Sequence, residues 1–167
     1  MPRPHADDRD VIIDDVEKLI GAAMTEVFLK ALSFEIQQDQ SLDAIAQGEP
    51  HVAGSVGFVG GISGIVYIYT TSRFARAMTS KMVGLSEDEV EGDEMINDAM
   101  GEMANMVVGV MKSKLADQGL QVSLTIPSIV RGNHFTFEQS GSAHRRVLIF
   151  KCDNHRLLVE IMAKEQK

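Results

Sequence analysis

The 167-residue sequence contains a single cysteine, Cys152, and no long apolar run. One thiol excludes an internal disulfide framework and is typical of a reducing compartment. No segment reaches the roughly 18 consecutive apolar residues that a membrane-spanning helix needs, and the polar N-terminus lacks the apolar centre of a signal peptide. We therefore expect a cytoplasmic protein without a membrane partner.

Basic residues are also scarce, with 16 lysines and arginines against 24 aspartates and glutamates and a formal net charge of −8. Such a chain repels a phosphate backbone unless it carries a local basic patch, and the Arg145-Arg146 pair is too short to be one. We expect no nucleic-acid partner. The length suits one domain with a substantial core. Residues 1–10, which are polar and contain two prolines, are predicted to be disordered, and residues 11–167 to form a single domain.

Hydrophobic periodicity predicts the order helix, hairpin, helix, long helix and antiparallel meander. The expected elements are a helix from Val11 with Asp10 as its cap, a short strand at Phe34–Ile36, a hairpin over Val52–Tyr69, a helix capped by Ser72 and stopped by Gly84, a capping box of Ser86 with Glu89, a long helix ending near Gly119, and strands around Val122–Ile126, Phe135–Phe137, Val147–Phe150 and Leu157–Val159. Because the strands are grouped, the fold class is predicted to be α+β, with an antiparallel (mixed) sheet backed by long helices.

The long helix carries a polar ridge formed by Asp98, Glu102 and Asn105. At about 100° per residue these three side chains lie within roughly 60° of one another. Gly101 and Gly109 fall in the same sector, so we expect a bare surface beside the ridge that a partner can approach closely.

The simplest interpretation of this ridge is the solvated face of an amphipathic helix. Asn105 favours a functional role for the ridge, because asparagine is a poor residue for a helix interior and its amide competes for backbone hydrogen bonds. The opposite sector holds methionines and valines: Met100, Met103, Val107, Val110 and Met111. Core filling explains these better than a promiscuous binding groove does.

Other candidate sites have weaker patterns. The glycines between Gly54 and Gly64 precede a strand and lack a Gly-Lys-Ser/Thr ending, so a hairpin with close sheet packing is favoured over a phosphate-binding loop. His134, His144 and His155 match no zinc spacing, and we predict no metal site. Cys152 lies in a predicted strand and is expected to be a small buried residue rather than a nucleophile.

Asp98-x-x-x-Glu102-x-x-Asn105 resembles the Asp/Ser-x3-Glu-x2-Asn signature of the CheC/CheX/FliY phosphatases of bacterial chemotaxis. The flanks are similar too. Asn97 to Gly109 resembles the core helix of the CheX branch, Leu124 to Gly132 its strand-proline-strand segment, and Leu157 to Ile161 its closing strand. The single signature favours the CheX branch, since CheC and FliY carry two.

The resemblance implies a phosphatase for the aspartyl phosphate of a phosphorylated CheY-like receiver domain. In that case Asn105 orients the attacking water, Glu102 pairs with the receiver's lysine, and Asp98, Gly101 and Gly109 belong to the motif and partner-binding surface. The resemblance also implies a homodimer, and no cofactor of the chain's own, because the Mg²⁺ belongs to the receiver. Two alternatives stay open: a non-catalytic module that docks on a receiver or a motility complex, and a ridge that only packs against a partner subunit.

Overall fold

The computed structural model describes residues 8–40, 49–133 and 143–165. The elements follow one another as helix α1 (Asp8–Leu32), strands β1 (Gln37–Asp39), β2 (His51–Gly60) and β3 (Ile62–Thr71), helix α2 (Ser72–Val83), a 3₁₀ turn (Glu87–Glu89), helix α3 (Gly92–Asp117), and strands β4 (Val122–Leu124), β5 (Ser128–Gly132), β6 (His144–Cys152) and β7 (His155–Glu165). Helices and grouped strands give the α+β class that the sequence predicts.

The strands form a seven-stranded sheet in the order β1-β6-β7-β3-β2-β4, with β5 also paired to β2. Every strand pair in the described sheet is antiparallel. The predicted hairpin is the β2–β3 pair, in which Val56 lies opposite Val66. Strands β4 and β5 extend the sheet beyond β2, and this places the β4–β5 connection beside α3.

The helices cover one face of the sheet, and the core lies between the two layers. α1 and α3 pack on each other, and α3 also packs on β2. The predicted apolar sector of α3 is buried at Met100, Met103, Val107 and Met111, which are 0% exposed, whereas Val110 is half-buried. The α3 methionines at 100, 103 and 111 therefore fill the core, as expected.

The helix boundaries follow local signals with small shifts. α1 begins at Asp8, so Asp10 lies inside the helix instead of capping it. Thr71, rather than Ser72, caps α2, because its hydroxyl accepts the Phe74 N–H at 3.2 Å. Gly84 ends α2 in the left-handed conformation, with φ at 71°, as its sequence position predicts.

The Ser86–Glu89 capping box is present, and Glu89 accepts from both the amide and the hydroxyl of Ser86. It opens a 3₁₀ turn rather than an α-helix. The short strand predicted at Phe34–Ile36 lies further along, at Gln37–Asp39, where it pairs with β6. The predicted alternation at Phe135 and Phe137 lies outside the described residues.

Candidate functional site

The ridge of α3 faces away from the core. Asp98 and Glu102 are exposed and Asn105 is half-buried, while Met100 and Met103 on the opposite side are fully buried. The helical geometry thus brings the three predicted site residues together on one accessible face.

The polar groups of the ridge are free to bind another molecule. Within residues 8–40, 49–133 and 143–165, the side chains of Asp98, Glu102 and Asn105 make no hydrogen bond or ion pair. An amide that both donates and accepts stands one turn from a carboxylate that only accepts. The arrangement can bind a cation through the glutamate while the amide orients a small polar molecule.

Gly54 sets how closely α3 approaches the sheet. A Cβ at this position of β2 would lie 2.8 Å from the Met100 carbonyl oxygen and 3.2 Å from the Ala104 Cβ. The helix backbone therefore rests directly on the strand, and this fixes the height and rotation of the ridge.

The two glycines of the predicted bare surface have different surroundings. Gly109 faces open space, since a Cβ there would meet no packing atom within 4 Å, as expected. Gly101 is buried, and a Cβ there would lie 3.5 Å from the Pro127 ring and 3.8 Å from Ile129. The expectation of bare surface at Gly101 is wrong, because the β4–β5 segment crosses α3 at this point.

This β4–β5 connection forms a second wall next to the ridge. Thr125 donates its N–H to the Gly57 carbonyl and accepts the Gly57 N–H on its hydroxyl, both at 2.9 Å. Pro127 lies over Gly101, so the intervening Ile126 is held with 88% of its surface exposed. Sequence reasoning misses this residue, because Ile126 continues the alternation of Val122 and Leu124 and is expected to be an ordinary strand position.

The remaining candidates are structural in the part of the chain described here. Cys152 is buried, and burial raises the pKa of its thiol, which disfavours the nucleophilic thiolate. His155 stacks on Phe74 with ring centroids 4.3 Å apart, and burial lowers its pKa. His134 lies outside the described residues.

Among the described residues there is no group of three or more histidine, cysteine, aspartate or glutamate side chains placed to hold a metal ion. The described helices also include none with the length and apolar character that a membrane crossing requires.

Comparisons with known proteins identify related sequences. A family model described as "Chemotaxis phosphatase CheX" matches residues 52–151. The CheY-P phosphatase CheX of Thermotoga maritima is 29% identical over 87 residues, covering 52% of this chain and 55% of that protein. The match thus spans about half the length of this curated relative.

Solved structures share the fold across most of the chain. A CheX structure from Vibrio vulnificus superposes with a TM-score of 0.76 at 24% identity, covering 89% of this chain and 96% of that one. A CheX–CheY–BeF3–Mg²⁺ complex from Borrelia burgdorferi gives a TM-score of 0.70 at 18% identity, covering 90% of this chain and 98% of that one. At these identities the likeness establishes the architecture.

The antiparallel sheet backed by long helices puts the chain in the class of CheX-like folds. Within that class the matched family model covers more than half of the sequence. The chain belongs to the CheX family.

Proposed function

We propose that the protein hydrolyses the aspartyl phosphate of a CheY-type receiver domain. The observation that supports this most is that Glu102 is exposed and Asn105 half-buried, and that neither side chain has a hydrogen bond or ion pair within the described residues. The curated CheX relative is named a CheY-P phosphatase, and a fold neighbour was solved as a complex with CheY.

In this proposal Asn105 enters the receiver's phosphorylation pocket and positions a water molecule. The side-chain oxygen accepts a hydrogen bond from the water, whose oxygen attacks the phosphorus in line with the acyl oxygen. The new P–O bond forms as the P–O bond to the aspartate breaks, and the leaving carboxylate keeps the bonding electron pair. The products are a free carboxylate and inorganic phosphate, and the protons of the water end on the phosphate or in solvent. Because Asn105 already holds the water in line, the activation free energy no longer includes the entropy lost in orienting it.

Glu102 sets the docking register by pairing with the lysine of the receiver's active site. A charge-assisted pair of this kind gives geometric specificity as well as affinity. The Mg²⁺ in the proposal is held by the receiver, so the chain needs no metal site of its own. Asp98 and the open surface at Gly109 complete the face that enters the receiver's cleft.

Glu102→Ala tests the docking role of this residue, and turnover by the wild-type protein separates an enzyme from a docking module without catalysis. We expect KM for the phosphorylated receiver to rise about tenfold or more, in line with the loss of one charge-assisted hydrogen bond, because Glu102 acts in binding. Phosphate release at several receiver concentrations, with Asp117→Ala on the last turn of α3 as the control, measures this. A wild-type protein that binds the phosphorylated receiver and leaves its lifetime unchanged would favour the docking module instead.

We further propose the homodimer that the resemblance implies, and a cytoplasmic location. The described sheet ends in β1 on one side and in β4 and β5 on the other, and unpaired strand edges are where a second copy can add. Sedimentation equilibrium of the full chain tests the dimer.

A further inference from the structure

A cleft of about 600 Å³ opens where the start of α2 meets the start of α3 and the end of β5. Its lining includes His51, Arg73, Arg76, Asp93, Ile96 and Arg131. Ile96 and Asp93 precede Glu102 by six and nine residues, which places them about 120° and 180° around α3 from it. The cleft therefore opens on a different side of the helix from the ridge.

The cleft is positively charged in an otherwise acidic chain. Three guanidinium groups and one carboxylate give it a net charge of 3 − 1 = +2, whereas the whole chain carries −8. Arg131 lies 3.4 Å from the Asp93 carboxylate. Among the described residues, Arg76 donates only to the neutral carbonyl oxygens of Glu87 and Val90.

Arg73 is the cation with the fewest contacts in this cleft. It is exposed, and within the described residues its side chain has no hydrogen bond or ion pair. It is also the second residue of α2, a 12-residue helix with no acidic residue in its first turn. Since a helix N-terminus favours anions, a cation there is unfavourable until an anion binds beside it.

A buried histidine adds a second, independent signal. His51 is only 4% exposed, and its Nδ1–H donates to the Glu49 carbonyl oxygen at 2.6 Å. Its Nε2 is buried and has no hydrogen-bond partner among the described residues. With the proton on Nδ1, the Nε2 of the neutral ring is an acceptor, so the missing partner is a group that donates.

We propose that this cleft binds a small phosphate-bearing molecule. The anionic oxygens of the phosphate accept hydrogen bonds from Arg73 and from the first turn of α2, with Arg76 adding charge. A P–OH group or an alcohol of the same molecule donates to His51 Nε2. The planar guanidinium matches phosphate oxygens, and the volume accommodates a ligand larger than a bare phosphate ion.

Titration of the full chain with inorganic phosphate and with glycerol 3-phosphate, followed through the backbone amide signals of Ser72 and Arg73, tests the site. We expect saturable shifts confined to the cleft, and an affinity at least about tenfold weaker in Arg73→Ala. Lys81→Ala, which removes one positive charge from the other end of α2, should leave the affinity within about twofold of wild type.

Tighter binding of glycerol 3-phosphate would identify a small organic phosphate as the ligand, and tighter binding of inorganic phosphate would identify the free ion. Sulfate carries no proton at neutral pH and should bind more weakly than phosphate; equal affinity would contradict the role given to His51. Absence of saturable shifts with either phosphate, or equal losses in Arg73→Ala and Lys81→Ala, would overturn the proposal. Because the cleft lies away from the ridge, this result is independent of phosphatase activity.

Discussion

At the scale of single residues, Gly101 and Gly109 share a helical sector of α3 but have different surroundings. Gly101 is covered by Pro127, and Gly109 faces open space. Both lie in the interior of a helix, where glycine costs about 1 kcal/mol relative to alanine. At Gly101 the absence of a side chain serves packing, because a side chain larger than a methyl group would meet β5. At Gly109 it leaves the exposed surface of the helix open.

We predict that Gly101→Ala and Gly109→Ala each raise the free energy of unfolding by about 0.5–1 kcal/mol, since neither new methyl group meets a packing atom closer than 3.5 Å. Urea denaturation measures both. Gly109→Gln should lower phosphatase activity several-fold, because its long side chain stands beside Asn105 on the docking face. Gly101→Ala is the matched control and should retain activity; an active Gly109→Gln would remove Gly109 from the docking surface.

At the scale of elements, the contact between β2 and α3 positions the site. The ridge residues are all on α3, and α3 rests on β2 through Gly54 and the Met100 carbonyl. The β4–β5 connection, fixed to Gly57, closes one flank and presents Ile126. The site is thus a face of one helix whose orientation is set by two neighbouring strands.

We predict that Gly54→Ala lowers the free energy of unfolding by about 1–3 kcal/mol and also lowers phosphatase activity, because the added methyl group must push the α3 backbone off the strand. Gly21→Ala on α1 is the control. A Cβ there would meet only the Leu148 side chain, at 3.7 Å, so the free energy of unfolding and the activity should not fall. Chemical denaturation and phosphate release are measured on both variants, and a harmless Gly54→Ala would contradict this account of how α3 is positioned.

The sequence predicts those features of these elements that local periodicity determines, and it misses those that depend on contacts between distant segments. The ridge and the methionine core follow from a 3.6-residue period, which is local, and the structure has both where the period predicts them. The cover over Gly101 comes from β5, roughly 25 residues away, and no helical pattern contains it. Strand β1 is likewise set by pairing, since Gln37 lies opposite Lys151 of β6, whereas local alternation predicts the strand at Phe34–Ile36.

At the scale of the whole molecule, one buried charge lies within the sheet. Glu160 of β7 is fully buried, and Arg145 of β6 donates to its carboxylate at 2.5 Å. The second oxygen of Glu160 has no partner among the described residues. Burying a carboxylate is unfavourable unless a cation remains beside it, so Arg145 offsets the burial of Glu160 where β6 pairs with β7.

We predict that Arg145→Ala lowers the free energy of unfolding by about 2 kcal/mol, less than the roughly 3–5 kcal/mol of a fully buried pair, because water reaches the arginine. Adding Glu160→Gln to Arg145→Ala should recover part of the loss by removing the unpaired charge. Thermal and urea unfolding of the single and double variants form the required cycle. Full stability of Arg145→Ala would show that the pair contributes nothing.

The central claim is that the Asn105 carboxamide orients the attacking water in a receiver's phosphorylation site. The lifetime of a phosphorylated CheY-type receiver, measured with equimolar wild-type protein and with Asn105→Ala, tests it most directly. The account predicts that wild type shortens the lifetime and that Asn105→Ala loses this effect by about 100-fold or more while still binding the receiver. Equal shortening by Asn105→Ala would contradict it.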